Sequence, residues 1–294
     1  MFIGALDSEE TTRESALDSD IDYCLQQIRR FDRDRYLTVL AAPAAAAADL
    51  AVLAAFNLEL ALVRDSVSEP LLGQIRLQWW REAIDGIIAG TPRHHAVVTA
   101  LADLMARRKL GRAHFERMID ARERELIDPP PADLSGLESY AADTSGSLLA
   151  LAAEAAGLEA ASVADLTRSV GIAVALIGTA RATLYLAERQ RRMIPDEVVA
   201  ATGLSTDALF TLKPQPALKP AIERLAAAAR GHLDTARRLK APAALVPALR
   251  IGTLAKLQLA RLERAGYDLF DPKSIEASPL DLWRLMGKRL LGTW

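Results

Sequence analysis

The chain has 294 residues, 51% of them hydrophobic, with 36 Lys and Arg against 38 Asp and Glu and a formal net charge of −2. That balance lacks the basic footprint nucleic-acid binding needs, and a lone cysteine, Cys24, excludes an internal disulfide, a CxxC redox pair or a cysteine zinc cluster. A chain of this length can bury one large core, so a single domain is expected.

The first stretch, "MFIGALDSEETTRESALDSD", is acidic and lacks both the basic-then-apolar order of a signal peptide and the arginine-rich pattern of a transit peptide. Residues 1–17 are read as an acidic extension ahead of a domain at 18–294. The expected location is cytoplasmic, with peripheral attachment at the inner membrane left open. Apolar residues recur at three and four rather than at two, and β-branched runs are scarce, which predicts an all-α protein. Helices are expected near 18–31, 44–65, 70–89, 94–107, 111–126, 136–157, 162–189, 195–201, 217–239, 242–264 and 278–291. Gly157, Gly266 and the prolines of "DPPPADLS" and "KPQPALKP" set their ends.

In chain order, Asp18, Asp20 and Asp22 alternate as a calcium loop begins, but its glycine and closing glutamate are missing, so they are read as an acidic helix N-terminus. The apolar stretch at 36–63 is interrupted by Pro43, Asp49 and Glu59, and the one at 170–187 carries Arg181 near its centre. Both are therefore read as buried helices rather than membrane spans. "IRLQWWREAIDGI" places Trp79 and Trp80 beside Arg76, Arg81 and Glu82, the pattern of a core tryptophan with a salt-bridged outer face.

His94 and His95 are neighbours and point about 100° apart on a helix, which does not suit a shared metal. The small residues of "YAADTSGSLLALAAEAAG" allow either a partner helix or a bulky apolar ligand to approach closely. The GxSxG, GxGxxG and GxxxxGK[ST] motifs are absent, leaving serine-hydrolase, dinucleotide and P-loop readings without support.

Taken in order and spacing, "AAFNLELALVRD", "QWWREAI", "LESYAADTSGSLLALAAEAAG" and "VGIAVALIGTARATLYLAERQRRMIP" resemble the squalene/phytoene synthase family. The resemblance implies a single isoprenoid-synthase-like helical bundle around a central apolar cavity. In active members Mg²⁺ ions, held by two aspartate-rich helical motifs, draw off the diphosphate of prenyl substrates. Laid on the first motif, this chain has Leu58 at the arginine, Ala61 and Leu62 at the leading acids and Asp65 at the last. On the second, Ala175 stands for Gln, Gly178 for Asn, and Ala182 and Leu186 for the two aspartates, while Arg181, Arg191 and Pro195 remain. Alanine and leucine cannot ligate a hard cation.

The chain also resembles one branch of the family, the mitochondrial complex I assembly factors, through "LVRDSVSE", "QWWREAI", "DARERELID" and "YAADTSGSLL". The resemblance implies a noncatalytic protein with no catalytic residue, no metal and no cofactor, whose partners are subunits or assembly intermediates of respiratory complex I. An isoprenoid or lipid in the cavity is compatible with that reading. Arg64, Arg76, Arg81, Asp120, Arg122 and Arg124 are its candidate partner-facing residues, structural salt bridges being the equal alternative. The competing reading is an active, Mg²⁺-dependent head-to-head prenyltransferase on farnesyl or geranylgeranyl diphosphate. Asp65, Tyr140, Arg181 and Arg191 would then line its cavity or hold the diphosphate.

Overall fold

The computed structural model describes residues 3–127 and 130–294, with the side chains of residues 3–14 outside that description. All regular structure among the described residues is helical, in one bundle. The long helices are α1 (Ile3–Phe31), α3 (Ala44–Ala61), α4 (Pro70–Ile88), α5 (Ala96–Arg107), α6 (Arg112–Arg124), α9 (Ala164–Glu188), α12 (Leu218–Arg238) and α13 (Val246–Arg264). Shorter ones are α2 (Arg33–Leu40), α7 (Leu134–Ala141), α8 (Ser147–Ala155), α10 (Asp196–Thr202), α11 (Thr206–Phe210), α14 (Pro272–Ile275) and α15 (Asp281–Leu290).

Local chemistry sets the ends that matter for the cavity. Asp32 caps α2 by accepting from the Arg35 amide, and Asp133 caps α7 by accepting from the Gly136 amide at 2.7 Å. The helix expected over 44–65 stops at Ala61, and Asp65 lies on a 3₁₀ turn, Arg64–Ser66. The Ser66 hydroxyl donates to the Val63 carbonyl at 2.8 Å and Pro70 opens α4, so the chain tightens and turns instead of continuing. Asp18, Asp20 and Asp22 fall inside α1, not at its start, so the helix dipole does not explain them.

The core comprises two adjoining apolar clusters. One joins Ile28, Phe56, Trp80, Leu101 and Phe115, and the other Leu176, Ile177, Ile222, Leu225 and Leu262. Val174 on α9 packs against both, which makes α9 the axis of the bundle. The sequence spacing predicts a stripe of Ile222, Leu225, Ala229, Leu233, Ala236 and Leu239 on α12; the first five are buried, and Leu239, at the C-cap, is half-buried. Phe56 meets Trp80 and Phe115 edge-on, with ring centroids 5.4 and 5.2 Å away. Helices α3 and α9 are long and apolar enough to cross a membrane by composition, and here about half of each apolar window is buried in the bundle. Buried Asp49 on α3 accepts from Arg107 at 2.9 Å.

The single helix expected over 136–157 is broken by a π turn, Ala142–Gly146. A Cβ at Gly171 of α9 would stand 2.4 Å from the Gly146 nitrogen and 2.5 Å from its Cα. Two backbones therefore touch at this point. The wide turn brings Tyr140, Thr144 and Ser145 to one side, facing the cavity.

Gly171→Ala should lower the unfolding free energy by about 3 kcal/mol or more, since the atoms in its way are backbone and cannot rotate aside. Gly178, on the same helix, has open space at its Cβ position, and Gly178→Ala should stabilise by about 0.5–1 kcal/mol. Urea unfolding of both variants checks the pair; effects of equal sign and size would refute the close approach.

Candidate functional site

The central cavity, about 350 Å³, opens between the α1–α2 corner, α3, the α7–π turn segment, α9 and α13. Its wall carries Asp32, Asp34, Arg35, Asp65, Arg122, Tyr140 and Gln258 beside Leu62, Val174, Ile251 and Leu254. A smaller apolar recess of about 50 Å³ continues past Arg35, Ser145, Val174 and Ile251 toward Leu53, Leu149 and Ala152. The sequence predicts an apolar cavity; the larger chamber is instead mixed, and only the recess is apolar. The recess and the chamber share Arg35, Ser145, Val174 and Ile251 in their walls, so they form one continuous space.

Six of the family positions come together here, while Ala182 and Leu186 are not on its wall. Leu58, Ala61, Leu62 and Asp65 line one side and Ala175 and Gly178 the other. The charged groups around them are matched among themselves. Arg191, from the loop after α9, donates to Asp65 Oδ1 at 2.8 Å, and Tyr185 donates its hydroxyl to Asp65 Oδ2 at 3.0 Å. Arg191 also stands 3.7 Å from Glu125. Arg122 donates to Glu125 and to the Tyr140 hydroxyl, both at 2.7 Å, and Tyr140 in turn donates to Glu125.

Across the chamber Arg181 donates to Asp34 at 3.1 Å and to the Ile275 carbonyl at 3.1 Å, while Gln258 donates to the same Asp34 oxygen at 2.6 Å. Arg35 pairs with Asp32 at 2.7 Å. Burial pushes the Tyr140 phenol above its usual range, opposed by Arg122 and reinforced by Glu125. Burial alone would lower Arg122, but Glu125 and Tyr140 outweigh it and hold the guanidinium charged. Burial and then the bond to Asp65 raise Tyr185.

This donor set does not fit Mg²⁺, which needs several oxygen ligands in near-octahedral order. Both Asp65 oxygens already accept hydrogen bonds, and Ala61, Leu62, Ala182 and Leu186 supply no ligand. Among the described residues no group of three or more His, Cys, Asp or Glu is placed to hold a metal ion.

The remaining sequence candidates lie mostly on the α4–α6 side. Arg81 is held by Asp120 at 2.7 Å, Glu123 at 2.6 Å and Glu116 at 3.7 Å, so Arg81→Glu would gather like charges and weaken the α4–α6 contact. Arg124 pairs with Asp143 at 2.7 Å, and Arg76 donates to Ser66 at 2.6 Å. Arg64 sits on the 3₁₀ turn beside Asp65, and Arg122 points inward to Tyr140 instead of outward. His95 precedes α5 and packs edge-on against Trp79 and Trp80. Sequence reading missed Asp34, Glu125 and Gln258. Asp34 lies in "DRDRYL", where acids alternate with arginines, and that run is its only signal.

Residues 28–284 match the family described as squalene/phytoene synthase. The chain belongs to the squalene/phytoene synthase family. It is 31% identical over 252 residues to "NADH dehydrogenase (ubiquinone) complex I, assembly factor 6" of Rattus norvegicus, covering 85% of this chain and 76% of that protein. The corresponding Homo sapiens protein is 30% identical over the same shares. The Dictyostelium discoideum homolog is 26% identical over 91% of this chain and 76% of its own length.

Among solved structures, a dehydrosqualene synthase in complex with ligand superposes with a TM-score of 0.80 at 19% identity, covering 95% of this chain and 98% of the other. Squalene synthase HpnC from Alicyclobacillus acidocaldarius gives 0.73 at 19% identity, over 86% and 96%. These likenesses establish the squalene/phytoene synthase fold, with family membership carried by the sequence match.

Glu125→Gln should cost about 2–3 kcal/mol of stability, because it removes the anion between two arginines in a largely buried position. Asp65→Asn, at a more open site with 28% of its side chain exposed, should cost about 1 kcal/mol. Denaturant titration of both distinguishes them, and equal losses would contradict the difference in burial.

Proposed function

We propose that this protein is a noncatalytic assembly factor for respiratory complex I, built on a synthase scaffold whose metal site has been replaced by ion pairs within the protein. The observation that carries the reading is the engagement of Asp65. The one acid left in the first motif is bound by Arg191 and Tyr185, and among the described residues no group of three or more His, Cys, Asp or Glu is placed to hold a metal ion. Each electrostatic group lost from an active site costs on the order of 10²–10³ in rate, so losing most of a metal-binding set leaves no useful turnover.

The names of the relatives that match most of the chain support the same reading. In this reading the partners are subunits or assembly intermediates of complex I, met from the cytoplasm, and no cofactor takes part. An isoprenoid or other lipid enters the cavity only as a bound ligand.

Deletion of the gene should lower NADH-linked complex I activity and leave C30 and C40 lipids unchanged. Asp65→Asn, introduced on a plasmid, should restore activity to the level its stability allows. A normal level of complex I activity in the deletion strain would overturn the assembly role. Conversion of farnesyl or geranylgeranyl diphosphate by the purified protein with Mg²⁺ over many turnovers would establish the prenyltransferase instead.

A further inference from the structure

Helix α15 buries one face and exposes a second apolar one. Its inward side places Leu285 in the core, with Leu282 and Met286 packed beside it. Its outward side carries Leu280 at 56%, Trp283 at 73%, Leu290 at 87% and Leu291 at 75% exposure. The spacing, with Gly287 between, runs at three and four and places these residues on one stripe. Apolar residues scattered singly over a surface need no account, but a tryptophan and three leucines aligned along a helix do.

The charges around the stripe are of one sign. Arg284 and Lys288 each follow a stripe position by one residue and so flank it, Lys288 half-buried with its ammonium donating to the Trp294 carbonyl at 3.2 Å, while Arg289 lies on the far side of the helix. The one acid within residues 278–291, Asp281, is buried and bound by Arg261, with Arg284 at 3.6 Å. Neighbouring elements extend the same character. Arg250 donates to the Ala41 carbonyl at 2.9 Å and to the Thr293 carbonyl at 3.3 Å, which sets half-exposed Leu40 beside the end of α15. Arg33 donates to the Ser278 carbonyl at 3.3 Å, next to Phe31, which is 49% exposed, carries Arg30 over its ring and also lines the central cavity. Glu276 is the exposed acid at the margin of this surface.

We infer that the outer face of α15, with Leu40 and Phe31, docks on the surface of an anionic phospholipid bilayer. A tryptophan and leucines on one side with cations beside them is the arrangement of a helix lying in the plane of a membrane interface. The cations meet lipid phosphates and the apolar stripe enters the boundary of the acyl region. A second copy of the chain is the poorer occupant. A twofold contact through the stripe would bring Arg284 and Lys288 against themselves, with no free acid in 278–291 to answer them. Docking this way sets the cavity mouth at Phe31 beside the lipid surface. The inference does not depend on the assembly role.

The test is flotation of the full chain with vesicles of phosphatidylcholine alone and with about one-third phosphatidylglycerol, at low and high salt. The protein should float with the anionic vesicles, bind neutral ones about tenfold more weakly and lose the preference at high salt. Trp283→Ser combined with Leu290→Ser should reduce binding about tenfold or more, and Arg284→Gln with Lys288→Gln should remove most of the anionic preference. Helical circular dichroism and melting of the exposed-site variants should match the parent, which separates lost docking from lost folding. Failure to float, or flotation indifferent to both variants, overturns the proposal. So does a concentration-dependent dimer in sedimentation equilibrium that the Trp283→Ser, Leu290→Ser variant abolishes. Vesicle binding without any effect of gene deletion on complex I would leave this surface standing while removing the assembly role.

Discussion

Arg191 lies between two carboxylates, Asp65 and Glu125, and the conformation of the cavity mouth follows from that position. A buried charge left without a partner costs several kcal/mol, so each segment that supplies a partner is held in place by the need to supply it. The 3₁₀ turn bearing Asp65, the turn bearing Glu125, Tyr140 on α7 and the loop after α9 are joined in this way. Arg181, Asp34 and Gln258 do the same for the opposite wall, tying α9 to α2 and α13. Cations and acids along the wall answer one another, and among the described residues no group of three or more His, Cys, Asp or Glu is placed to hold a metal ion.

Behind the charges, packing limits what the cavity can take. The contact of Gly171 with the Gly146 backbone draws α9 against the π turn and fixes the wall that Thr144 and Ser145 form. The apolar recess beyond is lined by Leu53, Leu148, Leu149 and Ile251. The scaffold is that of a synthase, as the superposition over almost the whole chain indicates, yet the two features an electrostatic prenyl-transfer site requires are altered together. Alanine and leucine stand at the metal-ligand positions, and the larger chamber is lined by charged as well as apolar side chains.

The helices and the family were legible in the sequence because both rest on local signals. The stripe of α12, the buried Trp80 and the substitutions at Ala61, Leu62, Ala182 and Leu186 can be read without coordinates. Short elements were not legible: α2, α11 and α14 span too few residues for a period to show, and α2 carries the Asp34 that pairs with Arg181. The π turn escaped because it depends on a backbone contact with Gly171, more than twenty residues further along the chain. Arg122 illustrates the limit for the site. Its sequence neighbours suggest an exposed charged face, and only the packing of α6 against the π turn segment turns it toward Tyr140. The function of a charged residue here is set by partners distant in sequence, which periodicity does not report.

The central claim is that the mouth satisfies its own charges and no longer recruits metal and diphosphate. Titrating the purified protein calorimetrically with inorganic pyrophosphate in the presence of Mg²⁺ tests it most directly. The account predicts no saturable heat up to a concentration of about 1 mM, equivalent to less than about 4 kcal/mol of binding free energy. Saturable, Mg²⁺-dependent binding of pyrophosphate in the micromolar range, abolished by Asp65→Asn, would contradict it.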